Sequence, residues 1–510
     1  MPWYQFLELL KEEYKLTCKF YYQVKSQIMK VKYFLVLLFP VVLLNTGCKK
    51  SFLDVEPPSV LTGSSYFRNA VDAEASITAA YNSVRNFNSD NYAKIMEAPL
   101  KGIMIFNTQG LNFDSWSLDP NDAITDDVWQ GAYEGIFRTN MVLQHVPDIN
   151  MDKAEQTRIL GEARFLRALF YWQLSTVFGS VPLVTEADPT DPSKAILAKS
   201  SLDDINKFMI SDLKEAINTL PDHSSYKSSD KGRASKQAAQ ALLGKVYLYI
   251  KDYANAQNYF DTVINSNQFK LVPNFNDLLV TDNNSESIFE IQYADITGQG
   301  SDRIENDYPQ GQGGFSNLLP TQDLVNEFES YSGTTANNGK DPRLFYSIFQ
   351  DGDPYDNVSP TFKKAWTPTG FAKKKGSYPV IRSSNANLGR DFPIIRFADV
   401  LLMFAEAANE NNQPDKAIAS INKVRERVGM PDLPTVDFPV RNKDEIFNEI
   451  VHERRVEFAF EHIRLNDLKR WGLAQKVLGS EGYVDPKNQY FPIPQQELNN
   501  NPKLTQNEGY

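Results

Sequence analysis

Apolar residues recur every three or four positions over much of the chain, which is the period of an amphipathic helix. One run places its apolar members on a single helical face: Ala70, Ala73, Ile77, Ala80, Tyr81 and Val84. The segment GEARFLRALFYWQLSTVF predicts a second helix that ends near Gly179, because Pro182 stands just beyond it as a stop signal. A third helix is predicted between the capping residue Ser201 and Pro221. These patterns predict a mostly α-helical fold.

The segment ALLGKVYLYIKDYANAQNYF carries a local repeat of the tetratricopeptide type. Its Leu243–Gly244 pair is followed by Tyr247 and later by Ala256 and Phe260, which matches the L-G-x2-Y and A-x3-F pattern of such repeats. A degenerate copy lies in LLMFAEAANENNQPDKAIASINKVRERVG, with these equivalents: Phe404, Ala405, Ala408, Ala417 and Ile421. An ordinary helical hairpin is the alternative interpretation. Both interpretations predict a scaffold of helix pairs, in which small residues let two helices approach closely.

Two long stretches, about 98–127 and about 283–391, lack the helical period. The second is dense in Gly, Asn, Asp, Ser and Tyr, and loops of this length are usually functional or disordered. Its aromatic residues argue against disorder, since disordered segments are poor in them: Tyr308, Phe315, Phe362, Trp366, Phe371 and Tyr378. We expect ordered, loop-rich excursions that build a surface on the helical scaffold, with minor strands in short apolar runs such as SIFEIQYA.

The sequence before residue 48 has the organisation of an export signal. Met29 is followed by Lys30 and Lys32, an apolar core covers residues 33–44, and a Thr-Gly pair precedes Cys48. The core is too short to cross a membrane, which takes about 20 apolar residues. The Thr-Gly-Cys ending resembles the lipobox of bacterial lipoproteins. We therefore expect Cys48 to be lipidated and to become the first residue of the mature chain.

This interpretation divides the N-terminal part of the chain into three segments. Residues 1–28 are expected to be a mis-annotated extension, because a signal is recognised at the true N-terminus and Met29 offers a later start. Residues 29–47 are the predicted signal peptide. Residues 48–65 are polar and contain prolines, and we expect them to form a tether that holds the folded part away from the membrane.

Cysteine content and charge exclude further classes of protein. The chain has two cysteines, of which Cys18 lies in the doubtful extension and Cys48 is the predicted lipid attachment site. The folded part then has no disulfide, thiolate ligand or thiol nucleophile. The net charge is −11, and an acidic chain without a basic cluster is a poor match for nucleic acid.

Motifs for catalysis or metal binding are missing from the sequence. The four histidines are His145, His223, His452 and His462, with no pair at i, i+4, and no zinc-protease, serine-hydrolase or P-loop sequence occurs. The run DGDPYDN around Asp351 offers oxygen ligands but lacks the spacing of a calcium loop. Paired carboxylates of a glycosidase would need a separation that sequence does not show. We expect a protein without catalytic residues, metal or cofactor.

The last third of the chain carries four ordered blocks: FADVLLMFAEAANE, AIASINKVRERVGMP, VHERRVEFAFEHIRLNDLKRWG and YFPIPQQELNNNPKLTQNEGY. With CKKSFLDVEPP near the start, they resemble the SusD/RagB family of outer-membrane lipoproteins. Two positions depart from the family pattern, His462 in place of the usual Gly and Leu465 in place of a common aromatic. The resemblance implies one SusD-like domain over residues 66–510, with helical repeats at about 66–280 and 392–475, the ligand-binding excursion at about 283–391 and a docked tail at 483–510.

Charged residues interrupt the apolar stripes of the HERRVEFAFEHIR segment. Glu453, Arg454 and Glu457 could be taken as catalytic, but no nucleophile or metal ligand accompanies them. Charges at such positions are tolerated when they pair internally. We therefore predict a partly buried arginine–carboxylate network that serves the fold.

The resemblance also implies a function. Family members bind nutrients at the cell surface and deliver them to a SusC-like TonB-dependent transporter in the outer membrane. Oligosaccharide is the leading ligand, a peptide captured in the RagB manner is the alternative, and a surface glycan hydrolase is the second alternative.

Aromatic rings flanked by amides suit the flat apolar faces and polar edges of sugars. The loop-rich stretches provide candidates for such a site, which is expected to need no metal or cofactor: Asn107, Asn112, Trp116, Tyr308, Phe315 and Trp366. The alternative is that these rings anchor the packing of the loops.

Overall fold

Helices make up most of the residues that the structure describes. The computed structural model describes residues 67–97, 100–104, 111–188, 191–296, 299–301, 307–330, 339–356, 358–377, 388–436 and 438–510, all within one compact unit, Thr62–Tyr510. The predicted signal peptide, Cys48 and the tether lie outside these residues. Among the described helices, none has the length and apolar character needed to span a bilayer.

The helices up to residue 265 are α1 (Ala70–Ser83), α2 (Asp90–Glu97), α3 (Leu111–Asp114), α4 (Ala123–His145), α5 (Lys153–Phe178), α6 (Leu202–Thr219), α7 (Lys236–Tyr249) and α8 (Tyr253–Asn265). Those that follow are α9 (Gln322–Glu327), α10 (Pro342–Ser347), α11 (Phe397–Glu410), α12 (Pro414–Arg427), α13 (Lys443–Glu457), α14 (Arg464–Arg470), α15 (Ala474–Leu478) and α16 (Gln495–Asn500).

The three helices predicted from periodicity are confirmed as α1, α5 and α6. Ser201 caps α6, because its hydroxyl accepts a hydrogen bond from the Asp204 N–H. Gly179 ends α5 with a φ of 74°, a backbone conformation that favours glycine. The residues that begin and end these helices therefore act as the sequence predicts.

Successive helices pack as pairs, with α4 on α5, α5 on α6, α7 on α8 and α11 on α12. The approach of α7 to α8 depends on Gly244, because a Cβ at this position would lie 2.6 Å from Cε1 of Phe260. Ala256 and Phe260 are fully buried between the helices. Helix α8 also packs on α11, which joins the two predicted repeats. The mostly α-helical, tetratricopeptide-like scaffold is confirmed.

Strands form three small antiparallel pairs: β1 (Ile103–Met104) with β3 (Leu319–Pro320), β2 (Ser287–Ile291) with β6 (Phe392–Arg396), and β4 (Ile348–Phe349) with β5 (Ala372–Lys373). Strand β2 is the predicted SIFEIQYA run. It pairs Phe289 with Ile395 and Ile291 with Phe392, with an irregularity in between. The β1–β3 and β2–β6 pairs join the excursion between residues 283 and 391 to the segments that precede α3 and α11, whereas β4–β5 lies within the excursion.

A buried network of arginines and carboxylates surrounds α13. Arg454 binds Asp467 at 2.7 Å and Asp399 at 2.9 Å, and all three side chains are about 1% exposed. Glu453 pairs with Arg343 at 2.8 Å and with Arg425 at 2.7 Å. The predicted internally paired network is therefore confirmed, and it ties α13 to α11, α12, α14 and the excursion.

Three consecutive lysines, Lys373 to Lys375, are buried although a charge run usually marks a solvated surface. Lys373 pairs with Asp307, and the ammonium of Lys374 lies 3.6 Å from the ring centroid of Phe345. Lys375 donates to Glu461 Oε1 at 2.5 Å. These contacts fasten strand β5 to α10 and to the residues after α13.

The last residues of the chain pack along the end of α5. The Phe491 N–H donates to the Val177 carbonyl at 2.9 Å. The amide of Asn507 donates to the carbonyls of Phe178, at 2.8 Å, and Phe491, at 2.7 Å. Phe491 and Ile493 are fully buried, so this segment forms part of the core.

Candidate functional site

An open groove of about 790 Å³ lies between α1, the loop at residues 229–233 and the end of β2. A second depression of about 310 Å³ continues it and shares Asn82, Arg85 and Tyr293. We call the two together the groove. Its principal polar and aromatic side chains are Asn82, Arg85, Asn86, Lys231, Gln292, Tyr293 and Gln299.

Helix α1 forms one wall of the groove because of its amphipathic pattern. Ile77 and Ala80 are fully buried, so Thr78 and Asn82 on the opposite side are exposed. A 3-10 turn over Val84–Asn88 follows α1 directly. This turn brings Arg85 to the rim.

Arg85 and Tyr293 form the centre of the groove. The guanidinium carbon of Arg85 lies 5.5 Å from the ring centroid of Tyr293, within the range of a cation–π contact. Arg85 Nη1 donates to Asn82 Oδ1 at 3.2 Å, and Nη2 donates to the Gly300 carbonyl at 3.3 Å. The ring and the guanidinium are thus held together, with the exposed amides of Gln292 and Gln299 nearby.

A pair of hydrogen-bonded carboxyl groups, Glu290 and Asp391, lies beneath the groove. Burial raises the pKa of both groups, and the charges of Glu290 and Asp282 raise that of Asp391 further. The Tyr293 N–H donates to Asp391 Oδ1 at 2.7 Å. The pair therefore holds a proton near neutral pH and fixes the backbone that carries the Tyr293 ring.

The opposite wall carries two basic residues, one of which is paired with carboxylates and one of which is not. Arg233 pairs with Glu162 at 3.0 Å and also with Glu74. Lys231 is exposed, and within the described part of the chain no hydrogen bond or ion pair engages its ammonium group. The groove therefore presents rings, amides and a positively charged group together.

Two family models match this chain. One, described as the SusD family, matches residues 285–485. The other, described as starch-binding and associating with the outer membrane, matches residues 51–248. The chain belongs to the SusD family. The family prediction made from the C-terminal blocks is therefore confirmed.

Relatives and solved structures of the SusD family match most of the chain. SusD-like protein P38 of Formosa agariphila is 29% identical over 498 residues, which cover 90% of this chain and 95% of that protein. A SusD superfamily protein from Bacteroides vulgatus has a structure with a TM-score of 0.78 and 27% identity, covering 87% of this chain and 100% of its own. A laminarin-binding SusD-like protein has a TM-score of 0.71 and 27% identity, with 87% and 100% covered.

Two of the aromatic residues predicted for the site of this SusD-family chain lie in one cluster. Tyr308 is 8% exposed among Phe349, Tyr355 and Phe362. Trp366 is half-buried at the edge of this cluster, with its ring centroid 5.2 Å from that of Tyr355. The cluster is chiefly the small core of the excursion.

Phe315 is the most accessible of the predicted rings, with 61% of its surface exposed. Its loop is anchored beside the groove, because Asn317 Nδ2 donates to Asp90 Oδ1 at 3.1 Å and the neighbouring Ser89 lines the groove. Phe315 is therefore presented to solvent on a loop that is fixed next to the groove.

The remaining predicted site residues are Trp116, Asn107 and Asn112, and none of them lines the groove in the part of the chain that the structure describes. Trp116 is 4% exposed and packs edge-on against Tyr483, with 4.8 Å between ring centroids. This is the loop-packing alternative, and we leave Trp116 out of the proposed site. Asn107 lies outside the described residues, and Asn112 lies in α3 with its side chain outside the description.

The groove residues were not recognised from the sequence. Asn82 lies at the end of a helix whose polar face looks like any solvated face. Arg85 lies in the 3-10 turn that follows this helix, and Tyr293 follows a short apolar strand. No local pattern distinguishes these positions. Only the β2–β6 pairing and the packing of α1 bring them together.

Glu329, His452 and Glu453 form a cluster whose ligand atoms lie within 4.8 Å of one another. Burial disfavours the charged imidazole, but hydrogen bonds from His452 to Glu327 and Glu329 outweigh it and raise its pKa to about 10. A protonated imidazole has no lone pair for a metal. Arg425 also pairs with Glu329 and Glu453, so these charges balance one another.

Proposed function

We propose that this SusD-family chain is a lipid-anchored protein of the outer cell surface that binds oligosaccharide in the groove. It delivers this nutrient to a SusC-like TonB-dependent transporter. The observation that carries the proposal is an open groove in which the Tyr293 ring and the Arg85 guanidinium lie among exposed amides. The laminarin-binding relative and the starch-binding description of one family model support a glycan as ligand.

The chemistry of the groove suits a sugar. A pyranose ring offers apolar C–H faces that contact an aromatic ring, and hydroxyl groups that exchange hydrogen bonds with amides and guanidinium groups. Gln292 and Gln299 each bring both a donor and an acceptor to the rim. An open groove also accepts a chain whose ends extend beyond the site.

Binding without cleavage is supported by the geometry of the carboxyl pair below the groove. Glu290 and Asp391 hydrogen-bond directly to each other. Glycosidases hold their two carboxyl groups about 5–5.5 Å or about 6.5–9.5 Å apart to accommodate the sugar and the water. This pair is too close for either arrangement.

Replacing Tyr293 with alanine is expected to weaken oligosaccharide binding about tenfold, because the apolar platform and the partner of Arg85 are both lost. Isothermal titration calorimetry against panels of glycans and peptides measures the effect. Tyr293→Phe keeps the ring and is the matched control, expected to bind within about threefold of the wild type. Phe315→Ala tests the neighbouring loop separately.

Three outcomes would contradict the proposed ligand or role. Heat released only with peptides would favour peptide capture in the RagB manner. Unchanged affinity in Tyr293→Ala would remove the groove as the site. Cleavage of the bound glycan during prolonged incubation would favour the surface hydrolase.

Replacing Cys48 with serine is expected to release the protein from the membrane fraction, because a hydroxyl does not accept the acyl chains that hold a lipoprotein at a bilayer. Metabolic labelling with a fatty acid, followed by membrane fractionation, measures the change. A wild-type chain that carries no label would contradict the predicted lipid attachment.

A further inference from the structure

Basic groups are concentrated in the groove of an otherwise acidic chain. The groove is lined by Arg85, Lys231 and Arg233, and by a single carboxyl group, Glu290. The whole chain carries a net charge of −11. The charge of the groove is thus opposite to that of the chain.

Neighbouring carboxylates neutralise only part of the positive charge of the groove. Arg233 is paired with Glu74 and Glu162. Glu290 and Asp391 share a proton, so this pair of carboxyl groups brings one negative charge rather than two to the floor of the groove. Lys231 stands exposed on the rim, and the described residues offer its ammonium group no hydrogen-bonded or ion-paired partner.

We infer that the groove takes an anionic oligosaccharide, whose uronate or sulfate groups bind Lys231 and Arg85 while its neutral hydroxyls bind the amides. This inference rests on the proposed function. A carboxylate or sulfate offers several acceptor oxygens to ammonium and guanidinium groups, and such charge-assisted hydrogen bonds are about twice as strong as neutral ones. The hydroxyl groups of a neutral sugar also accept from these cations, but the hydrogen bonds are weaker because the acceptor carries no charge.

A glycan is favoured over an acidic peptide by the rest of the lining. The amides of Asn82, Gln292 and Gln299 are all exposed along the groove, and each can both donate to and accept from a hydroxyl. The Tyr293 ring adds an apolar surface beside them. An acidic peptide would use the cations but offers few hydroxyls to the amides.

Calorimetric titration of the wild type with oligogalacturonate, carrageenan oligosaccharides and neutral laminarin oligosaccharides tests the inference. The first probe carries carboxylates without sulfate and the second carries sulfates without carboxylate, so the two anionic probes distinguish these groups. We expect at least one anionic probe to bind more tightly than laminarin and to weaken as salt is raised. Lys231→Gln is expected to weaken that binding about tenfold. Lys227→Gln removes an exposed lysine outside the groove lining and is the matched control, expected to leave affinity unchanged.

The outcomes separate this inference from the proposed function. Tight laminarin binding that Lys231→Gln does not change, with no preference for either anionic probe, would overturn the inference and leave the proposed function standing. Polyglutamate that binds as tightly as the anionic glycans would also overturn it. No heat with any oligosaccharide would contradict both proposals. Circular dichroism spectra identical to the wild type confirm that each variant is folded.

Discussion

Replacing Lys469 with methionine is expected to stabilise the protein by about 4 kcal/mol at pH 7. Lys469 lies on α14 and is 7% exposed, and its Nζ has no hydrogen-bond partner in the described structure. The ammonium position is 4.9 Å from the ring centroid of Phe491 and 5.7 Å from that of Trp116. Burial lowers the pKa of Lys469 from 10.5 to about 7.

The sign of this effect follows from linkage between protonation and folding. The unfolded chain gains a proton on Lys469 as the pH falls below 10.5, whereas the folded chain gains it only near pH 7. Lys469 therefore costs the folded state nothing in charge burial above pH 10.5, and the free energy of unfolding falls progressively as the pH is lowered from 10.5 to 7. The difference in the free energy of unfolding between Lys469→Met and the wild type should grow as the pH falls from 10.5 to 7 and stay constant below pH 7.

Urea denaturation at a series of pH values measures the difference in the free energy of unfolding. Lys375→Met is the control with the opposite expected sign, because Lys375 donates to Glu461 Oε1 at 2.5 Å and to the Glu457 carbonyl at 2.6 Å. Its removal takes away one of the two cations that pair with the buried Glu461 carboxylate and leaves only Arg396. A Lys469→Met variant no more stable than the wild type at pH 7 would contradict this prediction and show that the Phe491 and Trp116 rings offset the burial of the ammonium group.

Replacing Glu457 with glutamine is expected to destabilise the protein by about 3–5 kcal/mol, because it removes one charge from a buried, paired network. The carboxylate is fully buried and contacts three guanidinium groups: Arg427 at 2.6 Å, Arg396 at 2.7 Å and Arg343 at 3.2 Å. Burial alone would raise the pKa of Glu457, but these arginines outweigh it and hold the pKa well below its usual range.

Acid should reduce the cost of Glu457→Gln. A carboxylate with a lowered pKa contributes stability above about pH 4.5, its value in the unfolded chain, and loses it as the pH falls. Thermal and urea denaturation at pH 7 and pH 4 measure this difference. Glu445→Gln on the same helix is the control, since its partner Arg441 is exposed and such pairs contribute about 0–1 kcal/mol.

Glycan affinity distinguishes a structural role of Glu457 from a binding role. The residue is fully buried and does not line the groove. The folded fraction of Glu457→Gln should therefore bind oligosaccharide like the wild type. A stable variant that has lost its binding would show that the network serves the site as well as the fold.

The helix pairs were predictable because their signals are local. Gly244 and Phe260 are 16 positions apart, and their complementary sizes already indicate a close helix contact. The capping residue Ser201 and the terminator Gly179 act within one helical turn. Such features need no knowledge of distant segments.

The ion pairs were predictable only in part. Charges at Glu453 and Glu457 within apolar stripes indicate that partners must exist, but Arg343 lies 110 and 114 positions away from them. The buried lysines at 373–375 show the opposite case, in which a charge run that looks solvated is enclosed by long-range contacts. In both cases the tertiary packing, and not the local sequence, determines which charged groups meet.

The exposure of the aromatic rings could not be predicted either, because the sequence of a loop does not show which of its aromatic residues are buried. Trp116 and Tyr308 are buried, whereas Phe315 is exposed. All three occur in similar polar, glycine-containing surroundings. The register of neighbouring segments, rather than residue type, determines which ring meets solvent.

The groove unites residues that are remote along the polypeptide, as the 215 positions between Arg85 and the Gly300 carbonyl it contacts illustrate. No excised peptide or isolated helical repeat can reproduce it. We therefore expect ligand binding at the groove to require the completed tertiary structure, and affinity to be lost in a partly assembled chain. A titration with ligand therefore also counts the correctly folded molecules in a preparation.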